Sequence, residues 1–220
     1  MLDDRTRLIM EMNAHGFVRW SEKPFPLKSG IESHVYVFGR EDLTDEAYFG
    51  FLFGKVVAQE VNELADPARK PIIIGIPTAA TSLAAASSYA SWFCEFPRVL
   101  GYRVMREKQK NHGANGSSWV NGSPRSDQEY FTIENVVTSG NSLKENLERM
   151  AADGYMVKEM HHLVAVDREQ GGVELLRREG YHVHVLFTLR EITQTYVVWK
   201  KWNTAAQQLV EQEVEAHRFT

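Results

Sequence analysis

The chain has a single cysteine, Cys94, in 220 residues, so no disulfide can form within it and no cysteine-rich metal cluster is available. That usage fits a reducing compartment, and a cytoplasmic location is expected. Positive charge is not in excess either: 25 Lys and Arg face 29 Asp and Glu, a formal net charge of −4. No global field then draws the chain to nucleic acid or to an anionic membrane, and neither is expected as a partner. An anionic ligand would have to meet a local cluster of cations. No apolar run reaches the roughly 18 residues that a membrane helix needs. The opening Met-Leu-Asp-Asp-Arg is acidic and without an apolar core, so no secretory leader is expected there. The histidines show no metal-ligand spacing, and His161-His162 reads as flanking a strand rather than holding zinc.

What is present is an alternation of strand and helix patterns. Residues 3–14 read as an amphipathic helix with Leu8, Ile9 and Met12 on one side, followed by an extended Phe17-Val18-Arg19-Trp20. Residues 23–40, with Pro24, Pro26 and Gly30, suggest a loop and an edge hairpin. Residues 44–64 form the longest helical pattern, with Thr44 as the expected N-cap. Its Gly50 to Lys55 stretch is too short for a P-loop and reads as helix interior. Pro71–Pro77 is almost wholly apolar, as in a strand covered on both faces. An Ala-rich helix to about Trp92, a strand near 98–105, a strand over 130–137, a helix over 142–153, and strands over 162–167 and 182–187 follow, with a helix at 174–178 between the last two. A single amphipathic helix is expected from about 191 to 217, with Trp199 and Trp202 serving helix packing or a dimer face. The pattern predicts an α/β fold, a mostly parallel central sheet flanked by helices. It divides into an N-terminal helix and hood segment over 1–40, a core over 41–190 and a C-terminal helix over 191–220.

Three stretches carry chemistry. The strand over 130–137 holds Glu134 and Asn135 near its end and runs into Thr138-Ser139-Gly140-Asn141-Ser142, where a helix begins. Small hydroxyl residues, one glycine and the unpaired amides of a helix N-terminus make a cradle for a phosphate. The polar segment from Glu107 to Gln128 lacks apolar periodicity. Its start, Arg106-Glu107-Lys108-Gln109-Lys110-Asn111-His112-Gly113, reads as a cationic lid over a departing anion. The turn Pro77-Thr78-Ala79-Ala80-Thr81 follows the apolar strand. In an open parallel sheet, turns after strands face one crevice.

The 130–143 segment resembles the PRPP (phosphoribosyl pyrophosphate) motif of type I phosphoribosyltransferases, with Asn135 where that motif has a second acid. The 106–113 run is similar to the catalytic loop of orotate phosphoribosyltransferases, although Glu107 and Lys108 exchange the usual order of base and acid. Leu163-Val-Ala-Val-Asp167-Arg168-Glu169-Gln170-Gly171-Gly172 is very similar to that family's base-binding segment. Leu27-Lys28-Ser29-Gly30-Ile31-Glu32-Ser33 resembles its hood signature. The turn at 77–82 takes the place of the pyrophosphate loop but carries Ala80 and Thr81 where glycine and a branched apolar residue are usual.

The resemblance runs in order from about residue 16 to 190. It implies a type I phosphoribosyltransferase fold with a small N-terminal hood and a mobile catalytic loop. It implies transfer of phosphoribosyl from PRPP to orotate with Mg²⁺ held mainly through PRPP and no direct protein metal site. Thr138, Ser139, Gly140, Asn141 and Ser142 would hold the 5′-phosphate, with Thr138 also near the base, and Thr78, Ala79 and Ala80 would meet the pyrophosphate. Lys28 and Arg168 would orient the base, Glu134 and Asn135 would meet the ribose, and Arg106, Lys110 and His112 would stabilise the leaving group. A homodimer is implied, with the 106–116 loop acting across its interface. A phosphoribosyltransferase for another base and a catalytically impaired nucleotide-binding regulator are the other readings.

Overall fold

The computed structural model describes residues 2–26, 32–37, 44–110, 118–216 and 218, with the Lys110 side chain outside that set. Helix α1 (Asp4–Ala14) is capped by Asp3, whose carboxylate accepts the Thr6 amide at 2.8 Å. Strands β1 (Val18–Pro26) and β2 (Glu32–Val37) pair antiparallel from Val18 opposite Val37 to Pro26 opposite Glu32, with a register break between Trp20 and Phe25. This two-stranded sheet lies in the segment expected to be the hood and takes that name.

The main sheet has six strands in the order β5, β4, β3, β6, β7, β8. Strands β3 (Lys70–Gly75), β4 (Gly101–Lys110), β6 (Gln128–Val137), β7 (His161–Asp167) and β8 (His182–Thr188) run parallel. Strand β5 (Ser118–Val120) pairs antiparallel on the β4 edge. The chain crosses from β3 to β4 on one side and then returns to place β6 on the other. The strand order therefore reverses between β3 and β6, which is where open α/β sheets bind ligands.

Alternating residues explain the continuous apolar strands, because both faces are covered. Ile73, Phe131 and Ile133 face a core shared with α1, α2 (Ala47–Leu64) and α3 (Ala80–Phe93). Ile72, Ile74 and Tyr130 face the other core, filled by Leu143, Leu147 and Met150 of α4 (Asn141–Ala152) and by Val173 and Leu176 of α5 (Gly172–Arg178). Each such fully buried aliphatic side chain contributes about 1.5–3 kcal/mol.

Three expectations need correction. Thr44 does not cap α2: the N-cap position is Glu46, and the Thr44 hydroxyl instead meets Asp45 at 3.3 Å. The polar stretch after 105 is not loop throughout, since β4 continues to Lys110 and β5 lies within it. Asp153 draws β5 into place by accepting both the Trp119 and Val120 amides at 2.7 Å.

The C-terminal helix is two helices, α6 (Leu189–Val198) and α7 (Thr204–Ala216). Lys200 takes a positive φ of 57° and Trp202 folds back onto the Tyr196 ring, centroids 5.4 Å apart, before Asn203 accepts the Ala206 amide at 2.8 Å and starts α7. The Gly50–Lys55 stretch lies inside α2, as expected.

Candidate active site

Strand β6 ends at Val137, and the turn Thr138-Ser139-Gly140 carries the chain into α4. Gly140 has a φ of +81°, a conformation that side-chain-bearing residues rarely adopt, and a Cβ there would also meet the Gly172 carbonyl at 3.0 Å. Leu143, Leu147 and Met150 fix the inner face of α4, while Asn141 and Ser142 stand exposed at its first turn. The helix therefore points its positive end out of the sheet at the crevice, the geometry that favours a phosphate.

The segment after β7 is joined to this turn. The Arg168 amide donates to the Val137 carbonyl at 3.0 Å, and the Gly172 amide donates to the Thr138 carbonyl at 3.2 Å. A Cβ on Gly172 would lie 2.4 Å from the Thr138 oxygen and 2.6 Å from the Gly140 nitrogen. Two motifs some thirty residues apart in the chain thus form one rigid unit.

Arg168 is the buried cation of the site, 3% exposed. Its Nη1 donates to the Val35 carbonyl at 3.1 Å and its Nη2 to the Ser33 hydroxyl at 2.9 Å, both on the hood. Its Nε is buried with no hydrogen-bond partner among the described residues. Burial pulls the guanidinium downward from its ordinary value, while Glu213 and Tyr36 act against that shift. It stays charged, since an arginine is not deprotonated in a protein. A buried donor left open on a charged fork suits an anionic, planar ligand. Beside it Asp167 is pushed up to about 6 by burial, and its Oδ1 accepts the Glu169 amide at 2.9 Å.

Glu134 is buried, and its Oε1 accepts the amide of Asn135, itself half-buried, at 2.9 Å. The turn after β3 lies next to this strand end, because the Ile76 amide donates to the Ile133 carbonyl at 2.9 Å. Pro77, Thr78 and Ala79 form that turn, Ala80 opens α3, and Gly75 lets the turn close, since a Cβ there would meet the Ala80 carbonyl. The Thr78 hydroxyl donates to the Glu107 carboxylate on β4. Arg106 is half-buried on the same strand, and its Nη1 is buried without a hydrogen-bond partner among the described residues.

The ends of β3, β6 and β7 therefore bring together Thr78–Ala80, Glu134, Asn135, Thr138–Ser142 and Arg168. Arg106 stands at the start of the expected lid, and Lys110 closes β4 opposite Ser118. Lys28 and His112 lie outside the described residues, as do 27–31 and 111–117 of the hood signature and lid. Among the described residues no group of three His, Cys, Asp or Glu side chains could hold a metal ion. One carboxylate and one carboxamide beside a phosphate cradle suit a cation that keeps most of its ligands as substrate oxygens and water, as Mg²⁺ does.

Sequence reasoning missed Glu213. Its carboxylate, on α7, accepts the Ser33 hydroxyl at 2.5 Å and the His34 amide at 2.7 Å. No motif marks it, and the amphipathic pattern expected over 191–217 does not single it out.

The reversal of strand order at β3 and β6, with a cradle at the head of α4, defines the chain as a type I phosphoribosyltransferase in fold. No family model matches it. Orotate phosphoribosyltransferase of Aeropyrum pernix is 31% identical over 170 residues, 77% of this chain and 83% of that protein. The enzyme of that name from a Synechocystis species is 29% identical over 178 residues, 80% and 84% of the two chains. The crystal structure of the Aeropyrum pernix enzyme superposes with a TM-score of 0.63 at 28% identity, covering 87% of this chain and 98% of that one. The chain belongs to the orotate phosphoribosyltransferase family.

Proposed function

We propose that this chain transfers the phosphoribosyl group of PRPP to orotate, giving orotidine 5′-phosphate and pyrophosphate in pyrimidine synthesis. The observation that carries the reading is the junction of Gly172 with the Thr138–Gly140 turn, which sets a phosphate cradle and the buried Arg168 on one support. The name shared by the relatives points to the same substrate.

In the reaction the C1–O bond to pyrophosphate breaks, its electron pair leaving with pyrophosphate, as the N1 lone pair of orotate closes the new C1–N1 bond and the N1 proton passes to the departing pyrophosphate. The Thr138–Ser142 amides and hydroxyls hold the 5′-phosphate, and the Thr78–Ala80 turn meets the pyrophosphate. The Nε of Arg168 and Lys28 hold the base, with Thr138 beside it. Glu134 accepts from a ribose hydroxyl and stabilises positive charge developing at C1, and Asn135 accepts a hydroxyl without adding charge. Arg106, Lys110 and His112 neutralise the leaving pyrophosphate and exclude water as the 106–116 segment closes. Glu134 and Asn135 would lie beside a Mg²⁺ ion held mainly by substrate, which would supply further charge neutralisation there.

The chain works in this reading as a homodimer, with the 106–116 segment reaching the neighbouring site. Tyr89 of α3 and Tyr102 of β4, exposed with ring centroids 6.0 Å apart, support this as an aromatic pair on the strand that leads into that segment, and Trp92 and Phe93 are exposed at the end of α3. No helix among the described residues is long and apolar enough to cross a membrane. With Cys94 unpaired, the cytoplasm is the compartment we propose.

The test is orotate consumption by the purified protein with PRPP and Mg²⁺, followed by the loss of orotate absorbance. Turnover supports the reading. Retained orotidine 5′-phosphate binding without turnover would replace it with a regulatory role, the alternative that Asn135 favours.

A further inference from the structure

Ser33 sits at the crossing of the hood, the core and the C-terminal helix, and it is fully buried. Four polar groups surround its hydroxyl: the Val35 amide at 3.1 Å, Arg168 Nη2 at 2.9 Å, the Val35 carbonyl at 2.8 Å and Glu213 Oε2 at 2.5 Å. A hydroxyl has two lone pairs and one proton. The two donors, Val35 N–H and Arg168 Nη2, fill the lone pairs. Two acceptors compete for the proton, and the charged carboxylate at the shortest distance takes it, within the range of a charge-assisted O–H···O⁻ bond. The Val35 carbonyl is then left to Arg168 Nη1 at 3.1 Å. Glu213 Oε1 accepts the His34 amide at 2.7 Å, so both carboxylate oxygens are committed to β2. Val210 and Val214, buried to either side of Glu213 along α7, hold that helix against the core.

We infer that Glu213 is a positioning residue for base recognition: through Ser33 it sets the hood strand and the fork of Arg168, so that the Arg168 Nε edge is presented to the base. This rests on the reading of Arg168 as the group that holds the base. The polarity of the chain from Glu213 through Ser33 to Arg168 matters as much as its packing. Without a full carboxylate the Ser33 proton turns to the Val35 carbonyl and competes with Arg168 Nη1 for it. The guanidinium is then free to rotate off the hood. The phosphate cradle is untouched by this change, because it is held by Gly172 and the Arg168 backbone amide rather than by the side chain.

The test is calorimetric binding of orotidine 5′-phosphate and of Mg²⁺-PRPP to the wild type, E213Q, S33A and the double variant. E213Q is expected to weaken orotidine 5′-phosphate binding about tenfold or more while PRPP binding stays within about twofold. S33A is expected to do the same, and the double variant is expected to be no worse than either alone, since both break one relay. Orotidine 5′-phosphate affinity unchanged in E213Q would overturn the inference. So would equal losses for both ligands, which is what general loosening of the fold produces, or additive losses in the double variant. Failure of the wild type to bind orotidine 5′-phosphate at all would overturn the functional reading and this inference with it. That outcome is visible without any variant.

Discussion

Asn135 gives the site one carboxylate, Glu134, where the resembling motif has two. Two charges about 4 Å apart at an effective dielectric of about 20 interact by about 4 kcal/mol, part of which is spent on desolvating the added group. An Asn135→Asp variant should therefore raise kcat about tenfold at saturating PRPP and orotate, corresponding to about 1.4 kcal/mol off the barrier. A fall in kcat would show that the carboxamide is the group this site needs. Asp167 offers a prediction on stability. Its pKa rises from 3.8 to about 6 in the fold because the carboxyl is buried, so the folded state favours the protonated form. Its favourable contribution is complete below pH 3.8 and is lost as the pH rises through about 6, a cost on the order of 3 kcal/mol at neutral pH. Asp167→Asn, which keeps an oxygen for the Glu169 amide, should be the more stable protein in urea at pH 7.5. The difference should vanish as the pH falls toward 4. His162 opposes this trend in both proteins equally: burial lowers it from 6.5 to about 4, so its contribution is lost as the pH falls through that window. An Asp167→Asn variant no more stable than wild type at pH 7.5 would refute the burial argument. At this scale the motif residues were legible because their chemistry is local. Glu213 was not, since its meaning depends on Ser33, 180 residues away.

Elements were legible where one local signal dominated. The apolar strand over 71–77 and the hydroxyl-rich turn before α4 needed no tertiary information. The three-residue β5 gave no period to read and exists because Asp153 takes two of its amides. The break between α6 and α7 was hidden for a related reason: apolar spacing continues through Val198 and Trp202, but docking of the Trp202 ring on Tyr196 outweighs continuation of the helix. The junction of Gly172 with the cradle is where element packing controls function. Gly172→Ala would press a methyl against backbone at 2.4–2.6 Å, and no flexible side chain can yield there. Overpacking of this kind costs about 1–3 kcal/mol, and the strain falls on Thr138–Gly140. The expected result is a loss of stability of that size with a KM for PRPP raised about tenfold or more, measured by urea unfolding and initial rates. A variant destabilised to that extent with an unchanged KM for PRPP would separate the junction from phosphate binding.

On the scale of the whole molecule, the exposure of α3 and β4 bears on whether the site is complete in one chain. Trp92 is 68% exposed and Phe93 73% on α3, and Tyr89 of the same helix meets the exposed Tyr102 of β4, the strand that ends at Lys110, with ring centroids 6.0 Å apart. If these residues are buried in a twofold dimer that shares its sites, the chemistry draws Lys110 from one chain and Arg168 from the other. Subunit mixing tests this directly. Lys110→Ala and Arg168→Ala homodimers should each be inactive, because both of their sites carry a defect. In a mixed dimer the two defects fall in one site if Lys110 acts across the interface, and the other site is whole. Random reassortment should then restore about a quarter of wild-type activity. If Lys110 serves its own chain, every site in the mixture carries one defect and activity stays absent. Adding Trp92→Glu and Phe93→Glu to both chains should abolish the restored activity together with the dimer, read by sedimentation. Complementation that survived in monomers of those variants would refute the shared site.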